Sequence, residues 1–469
     1  MKLKKIVICI ILLCITLPLS GEIISIPDDY ATIQLGIIMA SDGDTILVAP
    51  GTYYENIDFF GKNILLTSYY LLDHEVHYIH ETIIDGSNAA NPQNASTVTF
   101  SSSESELAIL QGFTVTGGSG TEWVDPQYPQ LTWYSGGGIF MYMASPTIRH
   151  NLITINTVSN VGNYDGISGG GLLCFRGNPK ISNNIITSNQ AGYGAGIVVD
   201  YSGAIIKNNI VANNIAGTSY GGGGFYTIGN DTEPIIIENN TIVANHSGTT
   251  GGGLRLYSSI VTARNNIIWG NTQNSAGQIF GGSTSSFTYC DVEGEFTGEG
   301  NINEDPLFAD TLYHLTASSP CVDAGNPDIV YFDPENPQDP GFALYPAMGT
   351  LTNDMGAYGG SGSGAWVSID DHTSLQNSEI VLFQNYPNPF SPCTIINFQI
   401  LPKDITGTEL EIYNLKGEKV KTIPLSFCGI EGSVKWDGMN EYNQPVSSGV
   451  YLYKLNINIS PIKKMILLK

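Results

Sequence analysis

The residues of this sequence whose types and spacing can do chemistry are aromatic rings with a few charges among them. One stretch, Ser119 to Ser135, holds Trp123, Tyr128, Trp133 and Tyr134. Downstream, a Gly cluster recurs, and the residues after it line up from copy to copy. The second position reads Phe140, Leu173, Val198, Tyr226, Arg255, and the fourth reads Tyr142, Phe175, Asp200, Ile228, Tyr257. Rings of this kind offer flat apolar faces with a polar rim, which suits sugar rings. Asp200 and Arg255 add charged hydrogen-bonding groups. The candidate ligand-contacting residues are therefore Trp123, Tyr128, Trp133, Tyr142, Phe175, Asp200, Arg255 and Tyr257.

Catalysis asks for more than rings. A glycoside hydrolase needs two carboxylates at a set separation, and Asp200 is the one acid in these two columns, with Asp165 in a neighbouring loop. A lyase needs a Lys or Arg base, commonly helped by Ca2+. Arg149, Lys207 and Arg264 each stand two residues before an Asn and share a column with Ser182 and Glu238. That column alternates in sign and reads as a surface ion-pair ladder. His150, His246 and His314 are scattered in turns, and no Cys has metal-site spacing. Catalytic residues stay unassigned, and Ca2+ stays an open cofactor.

These side chains must be carried by a repeat. Between Thr147 and Asn271 five copies each carry an Asn and a second Asn five residues later: Asn151/Asn156, Asn184/Asn189, Asn209/Asn214, Asn240/Asn245 and Asn266/Asn271. The first position after each Gly cluster is Ile139, Leu172, Ile197, Phe225 or Leu254, and the third is Met141, Cys174, Val199, Thr227 or Leu256. Alternation with period two is a strand with one buried face. With apolar residues around each first Asn, a repeat holds about three short strands and no helix. One such coil cannot bury its apolar face alone, whereas stacked coils can. Asn carboxamides can then hydrogen-bond up and down the stack, and Asn tolerates left-handed turns.

Asn184-Ile185-Ile186-Thr187-Ser188-Asn189 followed by Gly-rich strands resembles the pectate-lyase-type right-handed parallel β-helix. The opening Ile26 to Gln34 and Asp42 to Tyr53 are similar to how many such proteins begin. Here they predict a short helix capped by Asp28 or Asp29, stopped near Gly43, and closing the end of the coil. Asn303 to Phe308, Ser319 to Gly325 and Asp354 to Tyr358 are similar to the closing segments of many bacterial surface β-helices. The resemblance implies a polysaccharide partner along an outer strand face. The paired-Asp motif of polygalacturonases and the Arg motifs of pectate lyases are absent.

Composition changes after Ser361-Gly362-Ser363-Gly364. Asn385 to Phe390, Trp436-Asp437-Gly438, Ser447 to Lys454 and the closing Lys463 to Lys469 punctuate short strands, as in a small β-sandwich. In this order they resemble the type A C-terminal sorting domain of type IX secretion, which implies contact with that secretion machinery and removal after export.

The domain expectations are a signal peptide over 1–21, a β-helix over 22–360 with a capping helix, a linker over 361–378 and a sorting domain over 379–469. The first segment has Lys2, Lys4 and Lys5 before an apolar run, Ile6 to Leu17, too short to span a bilayer comfortably. No other segment is long and apolar enough, so none is expected in the mature chain. The 469 residues include 42% hydrophobic and only 13% charged ones, with a net charge of -24. That balance disfavours nucleic acid, which needs clustered cations. Export permits a Cys290–Cys321 or Cys393–Cys428 disulfide. The reading is an all-β protein on the surface of, or secreted by, a Gram-negative-type bacterium, contacting polysaccharide or cell-surface glycan. Its rivals are a polysaccharide lyase or glycoside hydrolase of the same fold, and a passive structural or adhesive protein.

Overall fold

The computed structural model describes residues 21–159, 166–229, 234–275 and 277–363, and then 380–382, 385, 387–400, 409–414, 416, 419–425, 431–456 and 463–468. Residues 1–20 of the expected signal peptide, residues 364–378 of the expected linker, Asp165 and Cys428 lie outside the described residues. The chain divides into two compact units, Met1–Ser368 and Ile369–Lys469.

Unit one is wound from three all-parallel sheets of ten, nine and eight strands. Each coil contributes one strand to each, as in Leu172–Phe175, Lys180–Ser182 and Ile185–Thr187. A two-residue fourth strand, Gln190–Ala191, closes the turn. This is a parallel β-helix, in the right-handed sense that parallel crossovers adopt. Ile139, Leu172, Ile197, Phe225 and Leu254 pair one above another and are wholly buried. Met141, Cys174, Val199, Thr227 and Leu256 form the next inward column.

The Asn residues form two continuous ladders at successive corners. In one, Asn151, Asn184, Asn209 and Asn240 each donate Nδ2–H to the Oδ1 of the next Asn at 3.0–3.1 Å, and Asn266 ends the run. The same Oδ1 accepts the backbone N–H of the coil before, and the remaining Nδ2 hydrogen goes to carbonyls. In the other, Asn156, Asn189, Asn214, Asn245 and Asn271 do likewise, and Gln278 Oε1 terminates the run at 2.7 Å. The left-handed residue is the one before the ladder position, as at Asn183 (φ 53°), Asn208 (φ 55°) and Asn239 (φ 51°). The ladder Asn satisfies the corner that its neighbour turns. Gly196 shows why glycines precede the strands: a Cβ there would stand 2.5 Å from the Gly224 carbonyl of the next coil.

The entrance is capped by the helix Ile33–Met39, which buries Ile33, Gly36 and Ile37 over the first coil. Its N-cap is Thr32, whose Oγ1 accepts from Leu35 N–H, and it ends at Ala40. The expected cap was Asp28 or Asp29; the Asp29 carboxylate instead turns back to accept Ser25 N–H at 2.7 Å. Glu55 supplies the negative charge at the helix start, accepting Ile33 and Gln34 N–H groups at 2.9 Å. At the far end, the chain doubles back along one corner. Asn208 Nδ2 donates to the Ala357 and Gly359 carbonyls, and Asn239 Nδ2 to those of Asp354 and Gly356.

Cys290 and Cys321 are free, so the disulfide that export permits is not formed. Each is held elsewhere: Cys321 Sγ donates to Asp291 Oδ2 at 3.2 Å, and Cys290 Sγ accepts from Asn266 Nδ2 at 3.7 Å. Unit two has two antiparallel sheets. One pairs Ile380–Leu382, Thr394–Ile400 and Glu431–Trp436; the other pairs Lys419–Pro424, Glu409–Asn414, Gly449–Leu455 and Lys463–Leu467. Phe390, Phe398, Leu410, Trp436, Tyr453 and Met465 fill the space between them. The Asn-Tyr-Pro-Asn-Pro turn is anchored through Asn385, whose N–H donates to Tyr453 Oη at 2.8 Å and whose Nδ2 donates to Thr394 Oγ1 at 2.9 Å.

Candidate functional site

The stretch that the sequence presents as a loop folds as a β-hairpin. Gly120–Trp123 pairs antiparallel with Trp133–Ser135, setting Trp123 opposite Trp133 and Glu122 opposite Tyr134. Asn94–Ala95 and Gly166–Ser168 extend this sheet on either side. The hairpin lies over the outward column of the eight-stranded sheet. Phe140, Leu173, Val198 and Tyr226 are therefore buried, in a second apolar cluster with Trp123, Phe175 and Tyr193. An outward strand face this apolar cannot stay wet without cost, and the inserted hairpin removes it from water.

The eight candidate residues separate under this cover. Phe175 and Trp123 are 0% and 7% exposed, packed ring on ring at 4.5 Å. Trp133 stacks on Trp123 at 5.2 Å, and Tyr142 on Phe175 at 5.2 Å, both half-buried. Tyr128, near the hairpin tip, is 45% exposed. Asp200 pairs in register with Phe175 one coil on and is half-buried. Arg255 and Tyr257 share the sheet two coils beyond Asp200. There Arg255 lies over the Phe280 ring at 4.5 Å and beside that of Tyr257 at 5.6 Å. Tyr257 is 49% exposed. Four coil steps of roughly 4.8 Å separate Tyr142 from Tyr257, so the column is one line with a covered end and an open end.

Two residues outside the repeat columns complete the covered end. Arg176 follows Phe175 in a left-handed turn (φ 51°), and its Nη2 reaches Asp125 Oδ1 at 3.3 Å. Its guanidinium sits over the rings of Phe175 at 5.1 Å and Tyr201 at 5.7 Å. Asp125, two residues past Trp123, is buried and also accepts Gln127 N–H at 2.9 Å. Burial pushes the Asp200 carboxyl up to about 8, the Asp125 carboxylate adds to that, and Arg176 opposes it. Asp200 Oδ1, Arg176 Nε and Trp123 Nε1 are buried without a hydrogen-bond partner among the described residues. Trp123 was legible as an aromatic, but nothing in the periodicity pointed to Asp125. Arg176 stood one place past an aligned column.

The other charged groups are structural. Lys207 pairs with Glu238 at 2.6 Å and Glu238 with Arg264 at 3.6 Å, so the alternating column is an ion-pair ladder. Burial raises Asp333 and Asp354 to about 8 and about 7, and both accept backbone N–H groups of the return segment. His314 is buried against Tyr358 and bonded to Asp310 at 2.6 Å. Among the described residues no three His, Cys, Asp or Glu side chains group to hold a metal ion. The covered end does not fit Ca2+ either. That ion asks for six or more oxygen ligands, and here Arg176 already supplies the positive charge beside Asp125.

Residues 384–469 match the family model described as a secretion system C-terminal sorting domain. The chain is thus a type IX export substrate, bound for the cell surface or the medium through contact with the secretion machinery. No curated protein matches it. Among solved structures it is similar to dimeric latent PorU from Porphyromonas gingivalis, at 24% identity over 19% of this chain and 9% of that one, TM-score 0.17. It is also similar to PorZ, an essential bacterial surface component of the type IX secretion system of the same organism, at 18% identity over 26% of this chain and 14% of that one, TM-score 0.15. The chain thus spans a small fraction of either protein. Among the described residues no helix is long and apolar enough to cross a membrane.

Proposed function

We propose that the β-helix is a surface-displayed or secreted glycan-binding protein. The sorting domain over 379–469 delivers it and is then removed, and a signal peptide over 1–21 starts the route. The observation that carries the binding reading is the rim of Trp133, Tyr142, Tyr201 and Tyr128 around Asp200 and Arg176, held on a rigid sheet. Half-exposed rings beside hydrogen-bonding groups are what a sugar chain needs for stacking and orientation. Titrating the exported protein with a panel of polysaccharides tests it: retention of at least one supports the reading, and retention of none rejects it.

A second reading has its own support. Asp125 stands near enough to Asp200 to raise its proton affinity, and a buried carboxyl facing a second carboxyl is an arrangement that glycoside hydrolases use. New reducing ends released from a retained polysaccharide would favour it. Unsaturated ends would favour a lyase, and release of neither leaves a binding protein.

A further inference from the structure

We infer that a cavity in the second unit, lined by Lys419, Val420, Tyr442, Pro445, Val446 and Tyr451, docks an apolar side chain flanked by a carboxylate on the secretion machinery. The inference rests on the delivery role of residues 379–469 above and adds where on that domain the machinery takes hold.

The cavity measures about 470 Å³, inside the range of roughly 300–1,000 Å³ over which ligand clefts fall. It lies between the edge strand Lys419–Pro424 and the turn that follows Trp436. Its apolar lining belongs to the rim of the domain core. Tyr451 is buried, and Val420 and Val446 pack half-buried against the same cluster. Apolar surface left uncovered at a concave site is what an anchoring side chain covers.

Tyr442, which also lines the cavity, is 83% exposed, the most exposed large hydrophobic side chain among the described residues. The turn that carries it is tightly bonded. Asn440 Oδ1 accepts the N–H groups of Tyr442 and Gln444 at 2.9 and 3.0 Å, and Asn440 N–H donates to the Gln444 carbonyl at 2.9 Å. Trp436 Nε1–H donates to the Met439 carbonyl at 2.9 Å, and Lys421 Nζ to that of Asn440 at 3.0 Å. A ring held in water by a pre-organised turn loses little freedom on binding.

Glu441 decides how the partner docks. Its N–H donates to the Val420 carbonyl at 3.1 Å, and its Oε1 accepts Thr422 N–H at 2.5 Å. These are the edge groups that an added strand would need, so the partner enters by side chains. Its charge follows from the domain's own. Residues 384–469 hold nine Lys against seven Asp or Glu, on a chain whose net charge is -24. Lys419 and Lys416 are both exposed on one hairpin. Lys419 Nζ gives one bond to Glu411 at 3.0 Å, and an ammonium has three donors. A carboxylate on the partner meets the remaining ones.

Expression of the full chain in a bacterium with the type IX system tests this, with cells fractionated into periplasm, surface and medium. Tyr442→Ala and Lys419→Glu should each lower the exported fraction fivefold or more and leave folded protein in the periplasm. Tyr442→Phe, which keeps the ring, should export as wild type does. Melting curves of the recovered protein identify a variant that fails to fold, and the other then decides alone. Normal export of either folded variant overturns the inference. So does a dimer of the full chain that Tyr442→Ala dissolves, which gives the cavity to a second copy. Deleting 379–469 separates this failure from that of the delivery role. Export without the tail rejects both, whereas export lost with the tail but kept by Tyr442→Ala overturns the cavity alone.

Discussion

Asp200 is the side chain on which the account turns at the scale of single residues. Burial, then the Asp125 charge, raise its acidity constant from 3.8 to about 8, and Arg176 opposes them. Tyr193, Tyr201 and Tyr226 lie near enough to feel its charge. The unfolded chain loses this proton near pH 4, and the folded chain only near pH 8. The native state therefore holds more protons across that window, and this group's contribution to stability falls as pH rises through it. Asp333 and Asp354 are raised too, to about 8 and about 7, and act in the same direction. Asp200→Asn should flatten part of the decline between pH 5 and 8, read as urea midpoints at several pH values; an unchanged slope would show that Asp200 is ordinary. The sequence made Asp200 visible because it interrupts an aromatic column. It hid Asp125, which needed the hairpin to fold before it could come near.

Among the elements, the Asn ladders were the most legible, because a carboxamide recurring with a five-residue partner in every coil leaves little else to explain it. Asn209 sits mid-stack, accepting from Asn184 N–H and Nδ2 and donating to Ile181 and Lys207 carbonyls and to Asn240 Oδ1. Asn209→Ala should cost about 1–3 kcal/mol, since it strands buried backbone groups in a corner that water cannot enter. Chemical denaturation measures this, and a loss below the error of the fit would contradict the ladder's role. The hairpin was harder to see. Its strands have only three or four residues each, and the register that sets Trp123 on Trp133 is fixed by the apolar sheet beneath. Nothing local distinguished it from a loop rich in aromatics. The cap helix was placed correctly but its N-cap was not, because Asp28, Asp29 and Thr32 all have suitable side chains.

The whole molecule joins a β-helix to a sandwich that carries the export signal, and the order of the C-terminal motifs made that sorting domain readable in the sequence. Deleting 379–469 should leave the protein in the periplasm with the β-helix folded, because the two units have separate cores. Fractionation of cells with circular dichroism of the truncated chain checks both halves of that outcome, and surface display without the tail would refute it. What the outer face binds was less readable, since the hairpin buries two of its eight candidate residues and leaves others in the open. The most direct measurement is retention of the exported protein on a panel of immobilised polysaccharides, comparing wild type with Tyr128→Ala and Tyr257→Ala. Both rings are about half exposed, so the melting midpoints should stay within a few degrees of wild type. The account predicts that Tyr128→Ala, at the covered end, lowers retention at least fivefold, and Tyr257→Ala less. Full retention by both variants, or no retention by wild type on any polysaccharide, would contradict it.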